Sequence, residues 1–127
     1  RAVLEGVALE YGIYLRCLEA LYGRGKVTEV RVTGGGEKSA VWNRIKADVL
    51  GVPIVQIPGA GGAPLGSALL AARGVGAVED LDEAAAEWIT TGAITEPDPS
   101  RAPAGRARVE RYAALLDSLN TWSERKD

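Results

Sequence analysis

The sequence predicts an α/β fold in which parallel strands are connected by helical crossovers. Residues 27–32 are rich in β-branched side chains and lead through a glycine turn into a helical pattern, and residues 53–57 lead through a second glycine turn into another. The second stretch is apolar on both faces, as an interior strand of a parallel sheet would be. Two strands alone do not form a stable parallel sheet, so we expect further strands from a partner or from the rest of a longer chain.

The first element is an amphipathic helix over residues 2–22. Its apolar residues recur at helical spacing, which predicts one broad buried face. That face consists of a central stripe, Val3, Val7, Tyr11, Tyr14, Leu18 and Leu21, which is widened by Leu4, Ala8, Leu15 and Tyr22. Gly6 and Gly12 lower the helix propensity, so we expect a neighbouring backbone to come close to both. Cys17 lies among these apolar positions and is expected to be a small core residue.

The second helix follows the first glycine turn and covers residues 38–50. Its spacing places Val41 and Trp42 on the apolar side and Lys46 on the polar side. Gly51 stands where a left-handed C-terminal cap belongs, and Pro53 then forces the chain to extend into the second strand.

Three further helices are predicted from their first residues and from spacing. Pro64 suits the start of a helix whose small residues, 66–68, would let it lie close to its neighbour. Asp80 opens a short helix that ends at Trp88, and a short extended piece follows within residues 90–96. The last helix covers residues 103–122, and residues 123–127 are expected to form a solvated tail.

Composition excludes several classes of function. The 127 residues include no His and one Cys, which excludes His-based catalysis and the usual zinc ligand sets, and we predict no metal-binding residue. The net charge of -2 argues against nucleic acid as the main partner. No apolar run approaches the roughly 18 residues that cross a membrane, and a lone thiol fits a reducing compartment. The start at Arg1 and the absence of Met favour a piece of a longer protein.

The first glycine turn is the candidate binding site. Gly34, Gly35 and Gly36 follow a strand, and ligands of open α/β sheets gather at the carboxyl ends of strands. Their unhindered amides, before the positive end of a helix, are suited to phosphate or another anion. Lys38 and Ser39 could add a cation and a hydroxyl. Neither a Walker A loop nor a dinucleotide fingerprint matches, and the glycines could instead serve only to make a tight turn. The glycines of the second turn, residues 59–62, serve either close packing of the helix that follows or contact with a ligand.

The order of several motifs resembles the carboxy-terminal part of the FGGY-family carbohydrate kinases, with the xylulokinase-like branch nearest. The motifs are Val-Thr-Gly-Gly-Gly-Glu-Lys-Ser at 32–39, Trp-Asn-Arg-Ile at 42–45, Ala-Asp-Val-Leu-Gly-Val-Pro at 47–53 and Leu-Gly-Ser-Ala-Leu-Leu-Ala-Ala at 65–72. Residues 1–8 resemble the helix that precedes the strand in these kinases, and residues 96–99 resemble the lead-in to their final helix. The resemblance therefore covers nearly the whole chain.

The resemblance implies two actin-like (ribonuclease H-like) domains with ATP in the cleft between them, and transfer of the ATP γ-phosphoryl group to a sugar hydroxyl. Residues 1–127 would be a partial C-terminal domain, without the N-terminal sugar-binding domain and the first part of the second domain. Positions matching Gly34 and Gly35 would lie against the phosphates and ribose, and those matching Gly36 and Ser39 would border the adenine. Lys38 could reach a phosphate, while Trp42 either walls the adenine pocket or packs in the core.

The resemblance also implies what these 127 residues lack. The family's general base is an Asp upstream of this segment, so no catalytic residue is expected here and the chain alone is expected to be inactive. Mg²⁺ would be held mainly through the phosphates and residues outside this segment. The full-length protein would be a cytoplasmic kinase acting on a pentulose such as xylulose or a related polyol. The sequence leaves open whether the protein forms a homodimer through an uncovered face of the sheet.

A rival interpretation is a non-enzymatic interaction module or a regulator of actin-like fold. In the module, the apolar surface left by absent strands binds a partner chain and the glycines only turn the backbone. A regulator would bind nucleotide without turnover. Fold alone does not decide between these alternatives and a kinase.

Overall fold

The computed structural model describes residues 1–59 and 62–124. Within these residues, five helices, three short strands and one 3-10 turn follow one another along the chain. They are α1 (Ala2–Tyr22), β1 (Val30–Val32), the 3-10 turn (Gly35–Lys38), α2 (Ala40–Leu50), β2 (Ile54–Gln56), α3 (Ala63–Gly74), α4 (Leu81–Trp88), β3 (Ile94–Thr95) and α5 (Ala102–Glu124). The predicted order of helices and strands is confirmed, and both predicted strands are shorter than expected.

The sheet has the order β1-β2-β3. β1 and β2 are parallel, with Val30 opposite Ile54, and α2 connects them, so the predicted helical crossover is confirmed. β3 pairs antiparallel with β2, placing Thr95 opposite Ile54. The sequence predicts this segment only as a short extended piece, because a two-residue strand carries no periodic signal.

Helix α2 lies at the centre of the packing. One core cluster, Ala8, Ile45, Val49 and Val109, joins α1, α2 and α5. A second cluster, Ala47, Leu50 and Ile54, joins α2 to the sheet. Gly51 ends the helix in the left-handed region, at φ 70° and ψ 21°, and its amide donates to the Ala47 carbonyl, so the predicted cap is confirmed.

The predicted orientation of α1 is partly wrong. Val3 and Leu21 are 80% and 76% exposed, and the rest of the central stripe is also exposed, whereas Ala8 at the edge of the predicted face is fully buried. The buried residues are Ala8 and Gly12, because α1 packs on α2 and α5 through its small residues. Cys17 is exposed as well, so its predicted place in the core is wrong.

The predicted sides of α2 are also partly wrong, because this helix is covered by a cluster on each of two sides. Only a narrow strip of α2 faces solvent, and it includes Val41, which is 66% exposed. Lys46 is buried, with its Nζ 5.2 Å from the centre of the Trp42 ring. Burial disfavours the charged ammonium and lowers the pKa of Lys46, while the ring face partly compensates.

The C-terminal half agrees with the sequence in its helices more than in its packing. Asp80 caps α4, accepting hydrogen bonds from the amides of Asp82 and Glu83, as predicted. The expected close packing of α3 is wrong, since residues 66–68 are exposed. The predicted tail is partly helical, as α5 reaches Glu124, and residues 125–127 lie outside the described residues.

No helix in the described part of the chain is long and apolar enough to cross a membrane.

Candidate functional site

The two glycine turns lie side by side at the carboxyl ends of β1 and β2. A β-carbon built on Gly62 would lie 3.4 Å from Thr33 Cγ2, so the described end of the second turn touches the residue that opens the first. Ala60 and Gly61, in the middle of the second turn, lie outside the described residues. A cavity of about 340 Å³ opens here, and its mostly apolar lining includes Val32, Ile57 and Leu65. The turns therefore meet where an open sheet leaves a crevice for ligands.

The first turn presents its main chain to solvent. Gly34, Gly35 and Gly36 are all exposed. The Glu37 amide donates to the Gly34 carbonyl at 3.2 Å, which closes the 3-10 turn. Among the residues that the structure describes, none accepts a hydrogen bond from the amides of Gly35 and Gly36. These two donors are available to a ligand, and an anion is the partner that suits adjacent free amides.

The glycines do not open α2 directly, which differs from the expectation. The 3-10 turn stands between them and the helix, so Lys38 ends that turn and is exposed. Ser39 is the N-cap of α2, and its Oγ accepts a hydrogen bond from the Trp42 amide at 3.2 Å. The Ser39 hydroxyl proton remains able to donate to a ligand. The positive end of the α2 dipole therefore lies beyond Ser39, and the end of the 3-10 turn separates it from the glycines. The free glycine amides are on the turn itself and face solvent.

The three glycines differ in backbone conformation and in what lies next to them. Gly34 has a φ of 82°, a region that side chains of L-residues rarely adopt. A β-carbon on Gly36 would lie 3.4 Å from Nε1 of Trp42, so the indole ring borders this residue. A β-carbon on Gly35 would meet nothing within 4 Å. Backbone conformation therefore requires glycine at position 34, whereas a β-carbon would make only an ordinary contact at Gly36 and no contact at Gly35.

Trp42 belongs to the core side of the site. It is half-buried and packs against the cluster that contains Ile45, as the core interpretation predicts. Its ring centre lies 6.3 Å from that of Tyr11. The same indole borders Gly36, so Trp42 connects the core to the floor of the glycine turn.

A polar cluster that the sequence does not predict lies beneath the turn. The Glu37 carbonyl accepts two side-chain hydrogen bonds, from Asn43 Nδ2 at 2.6 Å and from Gln56 Nε2 at 2.8 Å. Asn43 is fully buried and shares the spacing of Ala47 and Leu50 along α2. A polar residue at an apolar helix position was the available signal, since buried amides need partners. Nothing in the sequence around Glu37 indicates its carbonyl as that partner.

The cluster is not fully satisfied. Glu37 is 6% exposed, and its Oε2 has no hydrogen-bond partner among the described residues. Asn43 Oδ1 is likewise buried without a partner there. A buried oxygen without a donor costs free energy. The hydrogen bonds to the main-chain carbonyl of Glu37 do not remove this cost, because the unpartnered oxygen belongs to the side chain.

A second cavity among the described residues is less suited to an anion. It has a volume of about 510 Å³ and lies between α2 and the first turns of α1 and α5. Its arginines are already engaged, Arg101 with Asp48 at 3.2 Å and Arg108 with Glu5 at 2.7 Å. No group of three His, Cys, Asp or Glu residues in the described part could hold a metal ion.

Comparison with known proteins identifies the family to which the chain belongs. Residues 1–75 match the FGGY family of carbohydrate kinases, C-terminal domain. The match covers more than half of the chain, and the chain therefore belongs to this family. Its relatives of known structure have an actin-like ATPase fold, so the predicted fold class is confirmed.

Individual relatives carry different substrate names. Glycerol kinase from Bordetella parapertussis is 33% identical over 123 residues, which are 97% of this chain and 24% of that protein. L-fuculokinase from Escherichia coli is 36% identical over 87 residues, which are 68% of this chain and 18% of that protein. The crystal structure of xylulose kinase from Rhodospirillum rubrum has a TM-score of 0.71 and 31% identity, covering 96% of this chain and 24% of that one. The chain spans about a quarter of the length of the glycerol kinase.

Proposed function

We propose that this chain is the nucleotide-binding C-terminal part of an ATP-dependent carbohydrate kinase. The full-length protein would transfer the ATP γ-phosphoryl group to a hydroxyl of a pentulose, such as xylulose, or of a related polyol. Family membership supports the reaction class. The observation that carries the nucleotide site is the turn with two free amides and a Gly35 whose missing side chain the packing does not require.

The nucleotide would lie across the exposed face of this turn. The amides of Gly34 and Gly35 would face the phosphates and ribose, and Gly36 and Ser39 would border the adenine. Exposure of all three glycines and the free amides of Gly35 and Gly36 support this arrangement. Lys38 is exposed at the end of the turn, where its ammonium could approach a phosphate.

Mg²⁺ would be held by the nucleotide rather than by this chain. In phosphoryl transfer, the ion neutralises charge that develops on the phosphates, and a base must be placed in line with the acceptor hydroxyl. The described residues offer no carboxylate cluster for the ion. We therefore place the metal contacts, the general base and the sugar-binding residues in another part of a longer, cytoplasmic protein, and we expect these 127 residues alone to form no sugar phosphate.

The binding site is tested by substitution of Gly35. In the full-length protein, Gly35→Leu should weaken ADP binding at least tenfold, measured by isothermal titration calorimetry, because the new side chain would occupy the face of the turn. The free energy of unfolding should change little, since a β-carbon there meets no neighbour within 4 Å. Gly6→Leu is the matched control, because Gly6 also has nothing within 4 Å but lies on α1. Unchanged ADP affinity in Gly35→Leu would reject the site.

The reaction and the substrate are tested separately. The full-length protein, supplied with MgATP and a panel of ketoses and polyols, should release ADP in a coupled assay with one of them. A pentulose is our first choice because a xylulose kinase is among the similar structures, while glycerol and L-fuculose are the substrates named for other relatives. ADP release with none of the panel would reject the kinase.

The second candidate is the interaction module. The observation that favours it is the exposed apolar face of α1, which includes Val3, Tyr14 and Leu21. Such a face suits contact with another polypeptide. Nucleotide binding separates the two candidates, since the module would bind neither ATP nor ADP. A regulator would bind both and release no sugar phosphate.

A further inference from the structure

The polar cluster beneath the glycine turn joins three elements at one atom. Glu37 lies in the 3-10 turn, Asn43 on α2 and Gln56 on β2. Both side-chain amides donate to the Glu37 carbonyl, at 2.6 Å and 2.8 Å. That carbonyl is thereby fixed from the helix side and from the sheet side at once.

The turn needs such support because its own hydrogen bonds are weak. The Glu37 amide reaches the Gly34 carbonyl at 3.2 Å, and the Ser39 amide reaches the Gly36 carbonyl at 3.5 Å. A 3-10 turn has poor hydrogen-bond geometry, and three consecutive glycines give the chain many alternative conformations when it is unrestrained. Without an external restraint, the amides of Gly35 and Gly36 would not keep one direction.

We propose that Asn43 and Gln56 are positioning residues for the nucleotide. By holding the Glu37 carbonyl, they keep the turn in the conformation that presents the Gly35 and Gly36 amides outward. This inference rests on the proposed function. The two residues themselves do not touch the ligand, since Asn43 is fully buried and Gln56 donates inward to the carbonyl.

The restraint acts on affinity by preorganisation. A turn that already has the bound conformation loses less conformational freedom when the nucleotide arrives. Removing one donor leaves the turn free to sample other conformations and also leaves the Glu37 carbonyl with one fewer partner. The nucleotide should therefore bind more weakly, while the sugar site, which lies elsewhere in the full-length protein, should be unaffected.

The experiment uses two uncharged variants of the full-length protein, so that no new charge acts on the phosphates. Asn43→Leu and Gln56→Met keep approximate side-chain size and remove the donors. We expect each to raise the dissociation constant of ADP and the KM for ATP by three- to tenfold, with the KM for the sugar unchanged. Gln56 is only half-buried, so its variant keeps the test open if Asn43→Leu does not fold.

A stability control separates positioning from general damage. Val49→Ala removes buried apolar contacts from the same helix, in the cluster on the side of α1 and α5, and should lower stability without changing ADP affinity. Hydrogen exchange of the unliganded protein gives a second measurement, because the amides of residues 34–38 should exchange faster in both donor variants and not in Val49→Ala.

The possible results are distinguishable. If the unmodified protein binds no ADP, the proposed function and this inference both fail. If it binds ADP and both folded donor variants bind within twofold of it, the inference alone fails. It also fails if the sugar KM rises in parallel with the KM for ATP, or if Val49→Ala weakens ADP binding as much.

Discussion

Substitution of Gly12 by Ala tests the close approach of α1 to α5. A β-carbon on Gly12 would clash with Cγ2 of Val109 and lie 3.1 Å from its Cγ1. Carbon atoms pack at roughly 3.5 to 4.0 Å, so the helices must separate by about 1 Å or Val109 must leave its preferred rotamer. Overpacking of this kind costs roughly 1 to 3 kcal/mol. Alanine returns about 1 kcal/mol through helix propensity, which leaves an expected loss of about 0 to 2 kcal/mol.

Gly6→Ala is the matched control on the same helix. Nothing lies within 4 Å of a β-carbon at Gly6, so this variant should gain about 1 kcal/mol from helix propensity alone. Urea unfolding of the 127-residue chain, followed by circular dichroism, measures both variants. The expected difference between them is about 1 to 3 kcal/mol, the cost of overpacking. Equal stabilisation by the two substitutions would refute the close approach.

The contact atom is identified by a double substitution. When Val109 is shortened to Ala, the space occupied by its two methyl groups becomes available to the new methyl at Gly12. Gly12→Ala should therefore be less destabilising in the Val109→Ala background than in the unmodified chain. An additive result would show that the clash is relieved elsewhere.

Two further predictions concern charged groups. Glu37→Met should raise the free energy of unfolding by about 1 kcal/mol in urea titrations, because it removes a buried carboxyl oxygen that has no hydrogen-bond partner among the described residues; a loss of stability would contradict this. Hydrogen bonds from Ser100 and the charge of Arg101 hold the pKa of Asp98 below its usual 3.8. Its charged form therefore stabilises the fold above about pH 4, and that stability is lost as the pH falls through the lowered pKa; Asp98→Asn should flatten the unfolding curve against pH there.

The sequence was sufficient for the elements that local chemistry determines. The left-handed cap at Gly51 and the N-cap at Asp80 depend on residues close together in the chain, and both predictions are confirmed. The extent of α1 is confirmed as well, whereas α2 begins two residues later than predicted and α5 ends two residues later. The parallel pairing of β1 and β2 followed from the helix between them and from the apolar second strand. β3 depends on pairing with a distant strand, which no local pattern indicates.

The sequence was insufficient for deciding which face of a helix is buried. Periodicity shows that one side of α1 is apolar, and it does not show what covers that side. In this chain α1 packs through Gly12 and through Ala8 at the edge of that side, and the missing side chain of Gly12 allows the close approach to Val109. Lys46 is the opposite case, because a charged residue that the sequence places on the polar side is buried. Helix α2 is covered on two sides and therefore has fewer solvent-exposed positions than its charged residues suggest.

The main-chain part of the candidate site can be predicted from the sequence, whereas the side chains that hold it in place cannot. Three glycines after a strand predict exposed amides at the sheet edge, because that inference needs only the local order of elements. The restraint at Glu37 needs Asn43 from α2 and Gln56 from β2 to meet, which only the folded chain reveals. The differences in backbone conformation and surroundings among the three glycines are likewise visible only in the folded chain. Backbone conformation requires Gly34, the Trp42 ring borders Gly36, and a β-carbon on Gly35 would meet nothing within 4 Å.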